Sequence, residues 1–310
     1  MNEKQHIAVV GAGLMGHGIA QVFAAAGHTV TVHDRSTEAL TTLRQRIGQN
    51  LTDLGQDAEA AARVFPVDDL GECLAGADVV FEAGPEDLAF KKELFLQLEL
   101  LAPRNALLAS NTSVIPISRI VEDMRTPQRA MGTHWWNPPY LVPLVEVIKT
   151  PSTDAEAAQR MFDLLGAAGK TPAMVEKDVA GFIGNRLQHA LWREAVAIVE
   201  AGICSAEAVD TVVKASFGRR LAVLGPLENA DLVGTDLTLA IHRTVLPEID
   251  GRPGPSPYLE QLVQGGRLGM KTGEGFRQWT PDAQAALRKR VQQHLVAMNK
   301  ADEEAARGAA

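Results

Sequence analysis

Three observations predict an α/β fold built on an open, doubly wound, mostly parallel sheet and followed by a second, all-helical domain. Short apolar runs of strand type alternate with helical periodicities through the first half of the 310 residues. The string Gly11-Ala12-Gly13-Leu14-Met15-Gly16 lies between the first such run and the first helical stretch. After Asp178 the strand pattern stops and helical sequence takes over. The expected division is residues 1–180 and residues 181–310.

His6–Val10 is a short apolar run of the kind a buried parallel strand requires. It leads into the glycines, a helical stretch closed by Gly27, and the alternating strand Thr29–His33, which ends at Asp34. Thr37–Leu54 has helical spacing at Leu40, Leu43, Ile47, Leu51 and Leu54. Strands are expected at 78–83, 106–109, 130–133, 144–148 and 173–175, with a helix from Asp87 to Leu101. In the second half, Gly181–Arg186 opens a long helix reaching Glu200. Ser205 caps a helix over Ala206–Ala215, and Leu227–His242 is helical with a turn at Gly234. Arg252–Pro257 and Arg267–Phe276 read as loops, Pro281–Met298 as a closing helix, and the last residues as a frayed tail.

A GxGxxG string between a strand and a helix, with an acid eighteen residues after Gly16, is the pattern of a dinucleotide-binding unit of the Rossmann type. Gly11 makes the tight turn, Gly13 lets a pyrophosphate reach the backbone, and Gly16 lets helix and strand pack closely. Gly11, Gly13, Leu14, Met15, Gly16 and Asp34 are therefore the cofactor-contact candidates. A tight strand–helix turn without a ligand is the plainer alternative. A carboxylate at Asp34 accepts from a ribose 2′-hydroxyl and repels a 2′-phosphate, which favours NAD; the neighbouring Arg35 works the other way.

Glu146 lies inside the apolar run Leu144–Ile148, where an unpartnered carboxylate is costly to bury. Its simplest partner is His134, twelve residues earlier, beyond the stiff pair Pro138-Pro139. The pair fits a general acid/base held by a carboxylate, and it also fits a structural core pair. Trp135 and Trp136 line a pocket or pack the core. Glu82 reads as an acid that solvates a strand end, and Ser113 as either a helix cap or a site residue.

A net charge of -8 argues against a nucleic-acid partner, and no apolar run is long enough to span a membrane. Two cysteines, Cys73 and Cys204, lack metal or disulfide spacing, so no metal is expected and a cytoplasmic location is. The apolar content of 181–201 and 227–242 exceeds what one small docking face needs, which predicts a homodimer through the helical half.

The segments GAGLMGHGIA, FEAGPEDLAFKKELF, SNTS, HWWNPPYLVPLVEV, GFIGNR and GMKTGEGF occur in an order that resembles the 3-hydroxyacyl-CoA dehydrogenase superfamily over nearly the whole chain. NPPYLVPLVEV, GFIGNRLQHALWREAVAIVEAG and VLGPLENADLVG resemble most a branch acting on free hydroxy acids. That branch includes lambda-crystallin-like L-gulonate 3-dehydrogenases and pyridine-carboxylate alcohol dehydrogenases. The resemblance implies His134 as catalytic acid/base, Glu146 as the group orienting it, and Ser113 and Asn185 near the reacting oxygen. It also implies that Glu86, Lys91, Ser113, Asn137 and Lys271 contact the dinucleotide.

Acyl-CoA members carry a lysine-rich arm after the second strand. Here residues 36–63 contain no lysine, and their cations are Arg44, Arg46 and Arg63. The expected activity is NAD-dependent oxidation of a small hydroxy acid, its carboxylate held by Arg219 or Arg220, which otherwise read as a solvated pair. The competing readings are a short-chain 3-hydroxyacyl-CoA dehydrogenase and a crystallin-like or redox-sensing NAD(H)-binding protein.

Overall fold

The computed structural model describes residues 4–308. They form two compact units, one of residues 4–186 with 294–308 and one of residues 187–293. The chain therefore returns to the first unit at its C-terminal end, which the sequence division into 1–180 and 181–310 did not anticipate.

The first unit is built on eight strands: β1 (His6–Val10), β2 (Thr29–His33), β3 (Val64–Val67), β4 (Val79–Glu82), β5 (Leu107–Ser110), β6 (Ala130–Trp135), β7 (Leu144–Ile148) and β8 (Thr171–Val175). Their order is β3-β2-β1-β4-β5-β6-β7-β8. Every neighbouring pair is parallel except β6 and β7. The helices are α1 (Leu14–Ala25), α2 (Thr37–Thr41), α3 (Leu43–Asp53), α4 (Leu70–Leu74), α5 (Leu88–Leu101), α6 (Ile117–Ile120) and α7 (Ala155–Ala167).

Strand alternation sorts the core into two layers, one on each face of the sheet. Ile7, Val9, Phe81, Val145 and Val147 pack with α1, α3 and α7, where Phe23 stacks on Phe81 at 5.0 Å and meets Trp135 edge-on. Ala8, Val10, Val80 and Leu108 pack on the other face with α5, α6 and Phe182. Along β6 the same alternation sends Trp135 into the first layer and His134 to the opposite face.

The sequence reading missed β3. It is four residues long, carries Pro66, and lies at the sheet edge, where a missing N–H is tolerated. The stretch read as one helix over Thr37–Leu54 breaks at Thr42 into α2 and α3.

The second unit is helical. α8 (Gly184–Glu200) enters it, followed by α9 (Ala206–Ala215), α10 (Pro226–Val233), α11 (Thr235–Val245), α12 (Pro257–Gln264) and α13 (Pro281–Gly308), which leaves it again. Ser205 accepts from the Ala208 N–H and caps α9 as expected. Gly234, at φ 98°, separates α10 from α11. α12 was not anticipated; Ser256 caps it. The tail read as frayed continues α13 to Gly308. Helices α8 to α11 bury no residue, and Val223, Leu227 and Leu232 are 83%, 80% and 73% exposed.

Candidate active site

The carboxyl ends of β1, β2, β4 and β5 carry the glycine turn, Asp34, the Glu82–Glu86 turn and the Ser110–Ser113 turn. At the glycine turn, a Cβ on Gly16 would lie 1.7 Å from the Gly11 carbonyl oxygen, so only glycine lets α1 start this close to β1. A Cβ on Gly13 would meet nothing within 4 Å. Gly13 is also the N-cap of α1 and offers no side-chain acceptor, and the first turn holds no acid. No side chain caps the first N–H groups of α1, and a helix start of this kind fits a pyrophosphate. Leu14 is exposed beside them and Met15 partly so.

Asp34 is engaged from two sides. Its Oδ2 accepts from the Ala12 N–H at 2.7 Å and its Oδ1 from the Ser36 N–H at 2.8 Å. Arg46 donates to the carbonyls of Ala12 and Ala39, each at 2.9 Å. Arg44 donates to the Val64 carbonyl and lies over the Phe65 ring, and Arg63 donates to the Ala24 carbonyl. All three cations of the segment after β2 are therefore committed to the protein itself.

Glu82 overturns its sequence reading as an acid that solvates a strand end, because it is fully buried. Lys91, also buried, donates to both its oxygens at 2.8 and 2.9 Å, and the Ser110 hydroxyl donates to Oε2 at 2.6 Å. A buried charge needs this degree of satisfaction. Lys91 Nζ also lies 3.6 Å from Glu86. Glu86 Oε1 accepts from the Thr112 hydroxyl and the N–H groups of Ser113 and Val114. Burial pushes the Glu86 carboxyl up, but these donors and Lys91 outweigh it, and its pKa lies below the usual value. Glu86 thus shapes the turn bearing Ser113. The hydroxyl that caps this turn is that of Thr112, which accepts from the Ile115 N–H. Ser113 is exposed, and its carbonyl accepts from Asn185 Nδ2 at 2.9 Å.

His134 and Glu146 are direct cross-strand partners in the antiparallel β6–β7 pair. His134 Nδ1 and Glu146 Oε2 are 2.7 Å apart, with the residues 3% and 1% exposed. Glu146 Oε1 accepts from the N–H groups of Ile183 and Gly184, at 2.8 and 3.0 Å, where α8 begins. Phe182 precedes them with φ 50°, in the left-handed region. That conformation costs a bulky residue about 1–2 kcal/mol. Two hydrogen bonds to a charged acceptor, at about 1.5–3 kcal/mol each, more than offset it. Burial raises the Glu146 carboxyl, yet the bonds from His134, Gly184 and Ile183 hold its pKa below the usual value. An ionised Glu146 can only accept, so Nδ1 carries the hydrogen and Nε2 is left to exchange a proton.

Trp136 and Phe182 flank the imidazole, with ring centroids 5.2 and 5.5 Å away. A Cβ on Gly184 would lie 2.5 Å from Trp136, so that glycine lets the α8 turn close over the pair. Of the two tryptophans, Trp135 is the core residue, and Asn111 Oδ1 accepts from its backbone N–H. Asn137 is exposed immediately after Trp136.

His134, Glu146, Ser113 and Asn185 therefore belong to one connected arrangement within the first unit. Lys271, Arg219 and Arg220 are exposed residues of the second unit; the two arginine side chains have no hydrogen-bond or ion-pair partner among the described residues. The sequence reading placed Glu82, Asn111 and Thr112 at strand ends without assigning them these roles, and it missed the backbone donors of Ile183 and Gly184. For the two backbone donors, the only signal was the glycine at Gly184.

Residues 6–179 match the 3-hydroxyacyl-CoA dehydrogenase NAD-binding domain, and residues 181–279 match the C-terminal domain of the same enzymes. The chain is 33% identical over 301 residues to the 5-formyl-3-hydroxy-2-methylpyridine 4-carboxylate 5-dehydrogenase of Mesorhizobium japonicum, covering 96% of this chain and 97% of that one. It is 36% identical over 292 residues to the human mitochondrial hydroxyacyl-coenzyme A dehydrogenase, covering 88% and 90%. A solved structure of a 5-formyl-3-hydroxy-2-methylpyridine 4-carboxylic acid 5-dehydrogenase, described as an NAD+ dependent dismutase, aligns with a TM-score of 0.89 at 32% identity. It covers 97% of this chain and 99% of that one.

Three outcomes are expected. Glu146→Gln places an amide N–H against Nδ1–H or forces the other tautomer, so kcat should fall on the order of 10²-fold or more with NADH binding retained. Because the folded pKa of Glu146 is lowered, its stabilisation is complete above about pH 4.3 and is lost as pH falls through the folded value. The Tm deficit of the variant should be full at neutral pH and shrink in acid, as thermal unfolding across pH will read. Asp34→Ala should narrow the preference for NAD over NADP, measured as the ratio of kcat/KM values; equal values in the unmodified protein would contradict the role of Asp34.

Proposed function

We propose that this chain, which belongs to the 3-hydroxyacyl-CoA dehydrogenase family and is an NAD-dependent oxidoreductase acting on CH–OH groups, oxidises the alcohol of a compact, free hydroxy carboxylic acid with His134 as the acid/base. The observation that carries the chemistry is the buried His134–Glu146 pair on the α8 N-terminus. NAD, when bound, would supply the hydride acceptor for oxidation at the carbinol carbon. His134 Nε2 takes the hydroxyl proton, and ionised Glu146 stabilises the imidazolium that results. Ser113 and Asn185 hold the reacting oxygen region. Gly11, Gly13, Leu14, Met15 and Gly16 cradle the dinucleotide phosphates, and Asp34 takes the ribose. Glu86, Asn137 and Lys271 complete the cofactor contacts; Lys91, expected from the sequence as a contact, is instead buried against Glu82 and acts only through the turn that Glu86 holds.

The commitment of Arg44, Arg46 and Arg63 to carbonyls of the protein supports a free acid. A CoA ester carries several phosphates and favours several available cations, whereas a carboxylate needs one guanidinium. Arg219 or Arg220 supplies it in this reading. The likeness to a pyridine-carboxylate dehydrogenase over nearly the full length of both chains points the same way. A short-chain 3-hydroxyacyl-CoA substrate is the second reading, favoured by the likeness to the human hydroxyacyl-coenzyme A dehydrogenase.

The bare apolar faces of α8 to α11 support a homodimer, since a second copy would cover surface that a soluble monomer rarely leaves open. Among the described residues no helix is long and apolar enough to cross a membrane, and a cytoplasmic setting suits two free thiols, Cys73 and Cys204.

His134→Ala should lower kcat by roughly 10² to 10⁴. Across a panel of hydroxy acids, hydroxymethyl and formyl aromatic acids and acyl-CoA esters, followed by NADH fluorescence, a free acid should give the highest kcat/KM. Acetoacetyl-CoA exceeding every free acid would overturn the substrate assignment and leave the pair's role standing. Light scattering at micromolar concentration should give twice the chain mass; a monomer would contradict the dimer.

A further inference from the structure

The loop between β6 and β7 is tied down at four points, all within the first unit. A Cβ on Gly18 would lie 2.9 Å from Pro139 Cδ, so Pro139 rests directly on α1 where that helix lacks a side chain. Tyr140 meets His17 of the same helix edge-on, with centroids 6.2 Å apart. The Leu141 carbonyl accepts from Asn299 Nδ2 at 2.9 Å. Lys170, immediately before β8, donates from Nζ to the carbonyls of Pro139 and Val142, at 2.7 and 2.6 Å. The same ammonium lies 5.6 Å from the centre of the Trp135 ring.

Among the described residues Lys170 pairs with no carboxylate; its hydrogen-bond partners are two carbonyls of a single loop and its flank is an aromatic face. Burial pushes its pKa down to about 8, which measures how far the ammonium is withdrawn from water. An apolar side chain would fill this space without that desolvation cost. What it would lack is the charge-assisted bonds that orient the Pro139 and Val142 carbonyls. The loop so shaped has one end at Asn137, three residues after His134, and its middle pressed on α1, whose first turn follows Gly13.

We propose that Lys170 is a positioning residue for hydride transfer: by shaping the Pro138–Val142 loop it holds the dinucleotide helix α1 and the His134 end of β6 in one fixed geometry. The proposal rests on the reading of His134 as the acid/base and of Asn137 as a nicotinamide-end contact. Misplacement of reacting groups by even an ångström carries a large rate cost, which is why a loop remote from the transferred atoms can matter.

The test uses the full chain with K170M and K170R. Hydrogen exchange in the free protein reads the amides of Leu141 and Val142, which both donate to the Pro138 carbonyl. NADH fluorescence gives the Kd, and steady-state kinetics give kcat and KM separately. K170M should speed exchange at Leu141 and Val142, weaken NADH binding, and lower kcat by roughly 10-fold to 100-fold while the KM for the alcohol moves little. K170R, which restores charged donors, should recover most of each. A lowered Tm with NADH Kd and kcat within about twofold of the unmodified protein would make Lys170 merely structural and overturn the proposal. Failure of the acid/base reading looks different: His134→Ala would keep its kcat while K170M still weakened NADH binding. If K170M does not fold, K170R alone decides, since a folded K170R with unprotected Leu141 and Val142 amides and lost NADH affinity contradicts recovery by charge.

Discussion

Glu146 is a carboxylate in the middle of an apolar strand, almost wholly out of water, and much of the site's local structure follows from keeping it charged there. One oxygen takes His134, which requires β7 to run antiparallel to β6 in the register that sets the two residues opposite each other. The other takes two backbone N–H groups, which requires the chain at Phe182 to enter the left-handed region before α8 can begin. Gly184 must then be a glycine, because Trp136 occupies the place of its Cβ. An acid/base, its orienting carboxylate, a strand reversal and a helix start are thus consequences of one buried charge.

A carboxylate–lysine pair extends this arrangement to the β4 and β5 ends of the sheet. Glu82 and Lys91 neutralise each other, Lys91 reaches towards Glu86, and Glu86 binds the turn of Ser113. The Ser113 carbonyl then receives Asn185, one residue beyond the N–H that Glu146 accepts. From Glu82 to Ser113 and from His134 to Gly184 the polar groups are linked, the two runs joined through Asn185, and each buried member has a partner. Such networks are rigid when fully satisfied and costly when one member is removed.

Much of this was legible in the sequence where the cause is local. The β1–glycine–α1 turn is readable because its hydrophobic run, its glycine spacing and the acid at Asp34 all lie within one short unit. The His134–Glu146 pair is readable because an acid in an apolar run demands a partner and a histidine is near. Glu82 was misread because an acid at the end of a strand is ordinarily solvated, and no local pattern announces that Lys91 will turn inward to meet it. β3 escaped because a proline-containing edge strand of four residues has no periodicity to detect. Phe182 escaped because its backbone conformation is imposed by a carboxylate distant in sequence. The length of α13 escaped because a polar, charged helix end resembles a frayed tail.

The central claim is that ionised Glu146 fixes the imidazole of His134 with hydrogen on Nδ1 and proton exchange confined to Nε2. Nitrogen-15 NMR of the histidine-labelled protein, followed across pH, reads the two ring nitrogens directly. The account predicts that Nδ1 of His134 stays protonated throughout, strongly hydrogen-bonded, while Nε2 alone gains and loses its proton. A neutral ring with hydrogen on Nε2 and a bare Nδ1 would contradict it.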